Sequence, residues 1–178
     1  MNPKPINIVL SLVLVLAAAF FDIRARRIPN LITYPAVVLA FLLGAVSGDS
    51  RALLLAAAGL AVGFGLLLPA YLLKVMGAGD LKLMAAVGAL LGPRITLSVF
   101  LNSLIAGGLI ALMVLALRGE LKRGVWSLGA LVWGFLRRKV LPGSVSSTEG
   151  SRWVSIGKVP YGVAIAIGTV SALIPALG

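Results

Sequence analysis

"LLKVMGAGDLKLMAAV", residues 72–87, sets one carboxylate, Asp80, between a glycine-rich break and an apolar run. The chain around it has 178 residues, 60% of them hydrophobic, and only five acidic side chains. Its mean hydropathy is +1.09 and 12% of its residues are charged. A water-soluble domain is about 45–50% apolar and about 25% charged, so this composition is that of a membrane protein. The apolar runs are Ile6–Phe21, Leu31–Val46, Leu53–Leu73, Leu81–Leu91, Ile95–Leu117 and Val159–Ala176. A helix needs roughly 20 residues to cross the hydrocarbon layer. The run that follows Asp80 is short, and is expected to tilt, to thin the bilayer or to continue through Gly92–Arg94. The expected fold is all-α: a polytopic bundle of about six transmembrane helices, forming a single domain over residues 1–178.

The chain contains no cysteine and no histidine. Disulfides, thiolate metal sites, a Ser-His-Asp triad, a cysteine nucleophile and the common zinc sites are thereby excluded. Acid–base chemistry must come from Asp, Glu, Lys or Tyr, and neither a metal nor a cofactor is expected. The net charge is +11. The bases flank the apolar runs, as membrane topology requires, and do not form a nucleic-acid footprint. With helices alternating in direction, 13 of the 16 Lys and Arg fall on one side, and Lys4, Arg51 and Arg94 on the other. The positive-inside rule makes the first side cytoplasmic and puts both termini outside, as expected for a multi-pass inner-membrane protein. The first run ends in "FFDIRARR" (20–27) and has no small-residue cleavage site, so a retained helix is expected there. Residues 118–158 form a long hydrophilic cytoplasmic loop. Within it, "GVWSLGALVWGFLRRK" (124–139) is expected to lie as an interfacial helix, with a re-entrant segment as the alternative.

Asp49 lies in a turn, and Glu120 and Glu149 in the hydrophilic loop; these three read as surface charge. Asp22 and Asp80 differ. One closes the first helix and the other opens the fourth, so the topology brings them to one depth at the cytoplasmic end, although they stand 58 positions apart. A carboxylate at the centre of a membrane helix costs about 2.5–3.5 kcal/mol, and such groups usually face a bundle interior or a cavity. Local ion pairs, Asp22 with Arg24 or Arg26 and Asp80 with Lys82, are one way to settle them. A di-aspartate site is the other: an ionised Asp takes a proton from water while a protonated one polarises a carbonyl. The helix macrodipole favours charge on Asp80, at an N-terminus, over Asp22, at a C-terminus. The resting proton is therefore expected on Asp22. Gly77 and Gly79 are expected to supply unusual backbone conformations and room for an extended peptide, and Lys82 to meet lipid phosphate. Gly59, Gly63, Gly65, Gly107 and Gly108 are expected at close helix contacts.

Three stretches, "FDIRARRIPN" (21–30), "GAGDLKL" (77–83) and "KVPYGVAIAIG" (158–168), resemble in order and spacing the type IV prepilin peptidase family of GxGD membrane aspartic proteases. The small, nearly all-membrane form is similar to the Tad/Flp-type members. The resemblance implies Asp22 and Asp80 as the catalytic pair and Gly77 and Gly79 as shaping the second. Pro160, Tyr161 and Gly162 would then lie beside them. It implies removal of a short basic leader from a type IV prepilin at the cytoplasmic face. The partners would be the prepilin's hydrophobic helix and membrane lipid, with no nucleic acid. Larger members also carry a domain with paired cysteines and N-methylate the pilin. This chain has no cysteine and no room for that domain after the first helix, so methyltransferase activity is not expected. Two other classes compete: a proton- or ion-coupled transport protein using the aspartates as a relay, and a non-catalytic scaffold of a secretion complex.

Overall fold

The computed structural model of the chain describes residues 4–25, 28–73, 76–117 and 161–177. The loop 118–158, with its expected interfacial helix, and Pro160 lie outside the described residues. Six helices and no strand occur among them: α1 (Pro5–Ala25), α2 (Asn30–Val46), α3 (Ser50–Leu72), α4 (Ala78–Leu91), α5 (Pro93–Leu117) and α6 (Tyr161–Leu177). Each coincides with one apolar run of the sequence. Helices α1, α3 and α5 are long and apolar enough to cross a membrane, and α2 and α6 are shorter apolar helices. The all-α membrane bundle expected from composition is the fold. The chain divides into two compact units, Met1–Gly108 with Pro160–Gly178, and Leu109–Val159. Of the second unit, only the final turns of α5 are among the described residues; the first holds the other five helices and the rest of α5.

Helix α4 is the core element of the first unit. Leu81 and every residue from Leu83 to Leu91 are buried, so it is enclosed on all faces, as an all-round apolar helix must be. α3 packs most extensively against it, α2 and α1 flank it, and α6 lies along α1. The outward faces carry Val9, Val13 and Leu16 of α1 and Leu97, Leu101 and Leu104 of α5, all exposed. Apolar side chains there suit hydrocarbon.

At 14 residues, α4 is about 21 Å long, well short of a hydrocarbon layer of about 30 Å. Protein surrounds it, so bilayer thickness does not set its length. It does not continue through Gly92–Arg94: Gly92 has a φ of 80°, and Pro93 opens α5 immediately afterwards.

The α3–α4 contact is made backbone to backbone. A Cβ on Gly59 would collide with the carbonyl oxygen of Gly88, one on Gly88 with that of Gly59, and one on Gly63 with that of Met84. A Cβ on Gly107 of α5 would stand 2.9 Å from the Tyr161 ring. Close packing is thus the role of Gly59, Gly63 and Gly107. Among the described residues it is not the role of Gly65 and Gly108, where a Cβ would meet nothing within 4 Å; both are exposed.

Candidate active site

Asp22 comes from the last turn of α1 and is 8% exposed. Its Oδ2 accepts the backbone N–H of Gly162 at 2.7 Å. That N–H is one of the four a helix leaves without an internal partner at its start, so Asp22 ties the end of α1 to the beginning of α6. A backbone N–H can only donate; Oδ2 is therefore an acceptor, and any proton on Asp22 sits on Oδ1. The macrodipole preference that places the resting proton takes no account of this donor. Gly162 leaves the space the carboxylate occupies, since a Cβ there would lie 2.8 Å from Oδ2 and 3.1 Å from the Asp22 Cβ.

Asp80 lies in the first turn of α4, three residues after the N-cap Gly77. Its side chain turns back toward the Gly77 backbone, the direction in which an acid at the third helical position meets a cap N–H. It lies close enough to Asp22 for the charge of one carboxylate to act on the other. Tyr161, the first residue of α6, lies within the same electrostatic reach of Asp80. Its hydroxyl is buried and has no hydrogen-bond partner among the described residues. The three helix ends therefore bring Asp22, Asp80, Tyr161 and Gly162 together. No group of three or more metal-ligating side chains occurs among the described residues.

Residues 8–112 match the type IV leader peptidase family. The chain belongs to this family. The matched span is more than half of the sequence and contains Asp22, Gly77, Gly79 and Asp80, while Tyr161 and Gly162 lie beyond it. No curated protein and no solved structure matches the chain.

The surroundings of the aspartates in this leader peptidase differ from expectation in three respects. Lys82 does not pair with Asp80 but reaches back to α2. Its Nζ donates to Asn30 Oδ1 at 3.0 Å and lies 5.1 Å from the centre of the Tyr34 ring. Asn30 and Tyr34, four apart at the start of α2, share one helix face and seat the lysine, which joins the starts of α2 and α4. Nor does Asp22 turn to Arg24: the arginine is exposed, while the buried carboxylate bonds the α6 backbone. Arg26 lies outside the described residues.

Finally, Gly77 and Gly79 do not serve through unusual backbone angles. Gly77 is ordinary extended backbone, at φ −78° and ψ 152°, and among the described residues the positive-φ glycines are Gly48 and Gly92. Gly79 acts through space: a Cβ would stand 3.1 Å from that of Ile28, so its absence lets Ile28, just before α2, lie against the start of α4. Asn30, Ile28 and Gly107 all support the site, and the sequence marked none of them in that role. Asn30 follows the Ile-Pro pair that breaks α1 from α2, but nothing in its spacing names a lysine 52 positions away as its partner.

Proposed function

We propose that this leader peptidase is an aspartic endopeptidase that removes the short basic leader of a Flp-like type IV prepilin at the cytoplasmic face of the inner membrane. The observation that supports it is that Asp22 and Asp80 lie within electrostatic reach of each other at one end of the bundle, near a buried hydroxyl with no partner among the described residues. The pair holds one proton and titrates as a unit. The ionised carboxylate takes a proton from a water between the two, and the oxygen attacks the scissile carbonyl. The protonated carboxyl gives its proton to the carbonyl oxygen. As the tetrahedral intermediate collapses, the C–N bond breaks, the first carboxyl gives its proton to the leaving amine, and one hydroxyl of the intermediate returns a proton to the second carboxylate, which restores the singly protonated pair. Both aspartates share one end, and α4 beyond Asp80 is apolar apart from Lys82; this argues against a proton relay across the membrane.

A shallow apolar cavity of about 300 Å³ lies between α1 and α2, lined by Leu10, Val13, Leu14 and Ala17 on one side and Leu31, Pro35 and Leu39 on the other. Ala17 precedes Asp22 by five residues, about 7.5 Å along the helix. A prepilin's hydrophobic helix fits along this surface, its leader junction unwinding beside the carboxylates.

Tyr161 is assigned as the donor to the carbonyl oxygen as charge develops. Tyr161→Phe is expected to slow cleavage by roughly 100-fold, the effect of one oxyanion donor. Its melting temperature should not fall, because the lost hydroxyl leaves no partner unpaired. A Phe variant at the wild-type rate would remove the tyrosine from the chemistry. Gly162→Ala is expected to slow cleavage at least about tenfold by displacing the Asp22 carboxylate, on which catalytic geometry depends within about 1 Å. Near-wild-type circular dichroism with unchanged cleavage would count against the assignment.

The direct test is incubation of the purified full chain in detergent with a Flp-type prepilin, with the products weighed by mass spectrometry. A cut just before the hydrophobic segment is expected. A prepilin left whole, beside an active prepilin peptidase as control, would refute the proposal.

A further inference from the structure

We propose that the end of the bundle opposite the aspartates holds an anionic phospholipid, its phosphate between Lys4, Arg51 and Arg94 and an acyl chain along the apolar wall beneath. A cavity of about 560 Å³ opens there, where α1, α3 and α5 begin and α2 and α4 end. That volume falls among those of small-molecule sites, about 300–1,000 Å³. Lys4 is 18 residues from Asp22, about 27 Å along α1, so this is a different site from the aspartate pair. Lipid binding here requires only that the bundle sits in a membrane, and does not depend on the proteolytic reading.

Helix alternation leaves three bases at this end of the chain, and all three line the one cavity. Each stands where its own helix disfavours it. Lys4 immediately precedes α1, and Arg51 and Arg94 lie in the first turns of α3 and α5. The positive end of a helix macrodipole repels a cation, and three cations around one cavity repel each other. The acidic residue at this end, Asp49, uses its side chain to accept the Arg51 backbone N–H at 2.9 Å. Such an arrangement calls for an external anion.

Two further observations choose a lipid over a free anion. Asn7 lines the cavity with a buried amide oxygen that has no donor among the described residues, which a headgroup hydroxyl can supply. The remaining wall is largely apolar, and one of its residues, Leu54, is 69% exposed on the outer face of α3. The cavity is thus continuous with the lipid-facing surface, and an acyl chain can leave along it. A phospholipid with a hydroxylated, singly charged headgroup, such as phosphatidylglycerol, satisfies the cations, the amide and the wall together.

The test is thermal unfolding of the purified full chain in detergent, titrated with phosphatidylglycerol, phosphatidylcholine, inorganic phosphate or a soluble poly-glutamate peptide. A saturable rise in melting temperature with phosphatidylglycerol alone is expected. Lys4→Gln, Arg51→Gln and Arg94→Gln should each weaken the half-saturation concentration about fivefold, and the three together on the order of a hundredfold. Arg24→Gln, at the other end, should leave it unchanged. The single variants carry the test if the triple variant does not fold. An equal rise with phosphatidylcholine or inorganic phosphate, or a rise undiminished by the substitutions, would overturn the proposal. So would an equal rise with the acidic peptide, which would assign the cavity to a protein partner.

Discussion

Replacing either Asp22 or Asp80 by Asn is expected to lower prepilin cleavage by at least about a hundredfold, with the bundle still folded. General acid–base catalysis by one positioned group contributes typically 10²–10⁴-fold, and here each carboxyl must act once as acid and once as base. Asn removes both capacities and keeps the shape. At position 22 its amide oxygen can still accept the Gly162 N–H that Asp22 Oδ2 accepts at 2.7 Å, so the junction of α1 and α6 survives. Asp22→Ala would be a poorer test, because it leaves that buried N–H without a partner, which costs about 1–3 kcal/mol. The double variant should be no slower than the worse single one, since residues acting as a unit are not additive. Cleavage rates measured beside melting temperatures separate the alternatives. A scaffold tolerates both Asn variants, whereas a peptidase retains its fold and loses its rate. Wild-type cleavage by either variant would remove that carboxyl from the mechanism.

The convergence of these two carboxyls is legible in the sequence because it depends only on parity. Six apolar runs, alternating in direction, place the end of the first and the start of the fourth on one side. The distribution of bases supports the same alternation. What the sequence could not convey is which faces of the helices meet. Lys82 reads as a lipid-facing cation because it lies two residues beyond Asp80; its bond to Asn30 depends on how α2 and α4 approach. Gly65 and Gly63 look alike in an apolar run, yet one meets open space and the other a carbonyl oxygen of α4. One signal was present and is general. The stretch Ala78–Leu91 carries Ala78, Gly79, Ala85, Ala86, Gly88 and Ala89. Such a density of small residues in a short membrane helix marks neighbours on several sides, and α4 is the enclosed helix.

Gly88→Ala, and equally Gly59→Ala, is expected to abolish the folded state or lower the melting temperature sharply, although each adds a single methyl group. Overpacking a core usually costs about 1–3 kcal/mol, occasionally more. Here the larger figure applies, because the new Cβ meets a carbonyl oxygen of the facing helix and not the movable end of a side chain. No rotamer change relieves a backbone contact; α3 and α4 must move apart. Asp80 rides on α4, so any folded remainder should also have lost its carboxyl pair and its cleavage. Gly65→Ala is the control within the same helix. It meets nothing within 4 Å, and alanine is favoured over glycine in a helix interior by about 1 kcal/mol, so its melting temperature should match or exceed that of the wild type. Thermal unfolding of the three variants in one detergent decides the matter. A Gly88→Ala protein that melts with the wild type would mean that α3 and α4 are not in backbone contact there. The placement of Asp80 within electrostatic reach of Asp22 would then need another support.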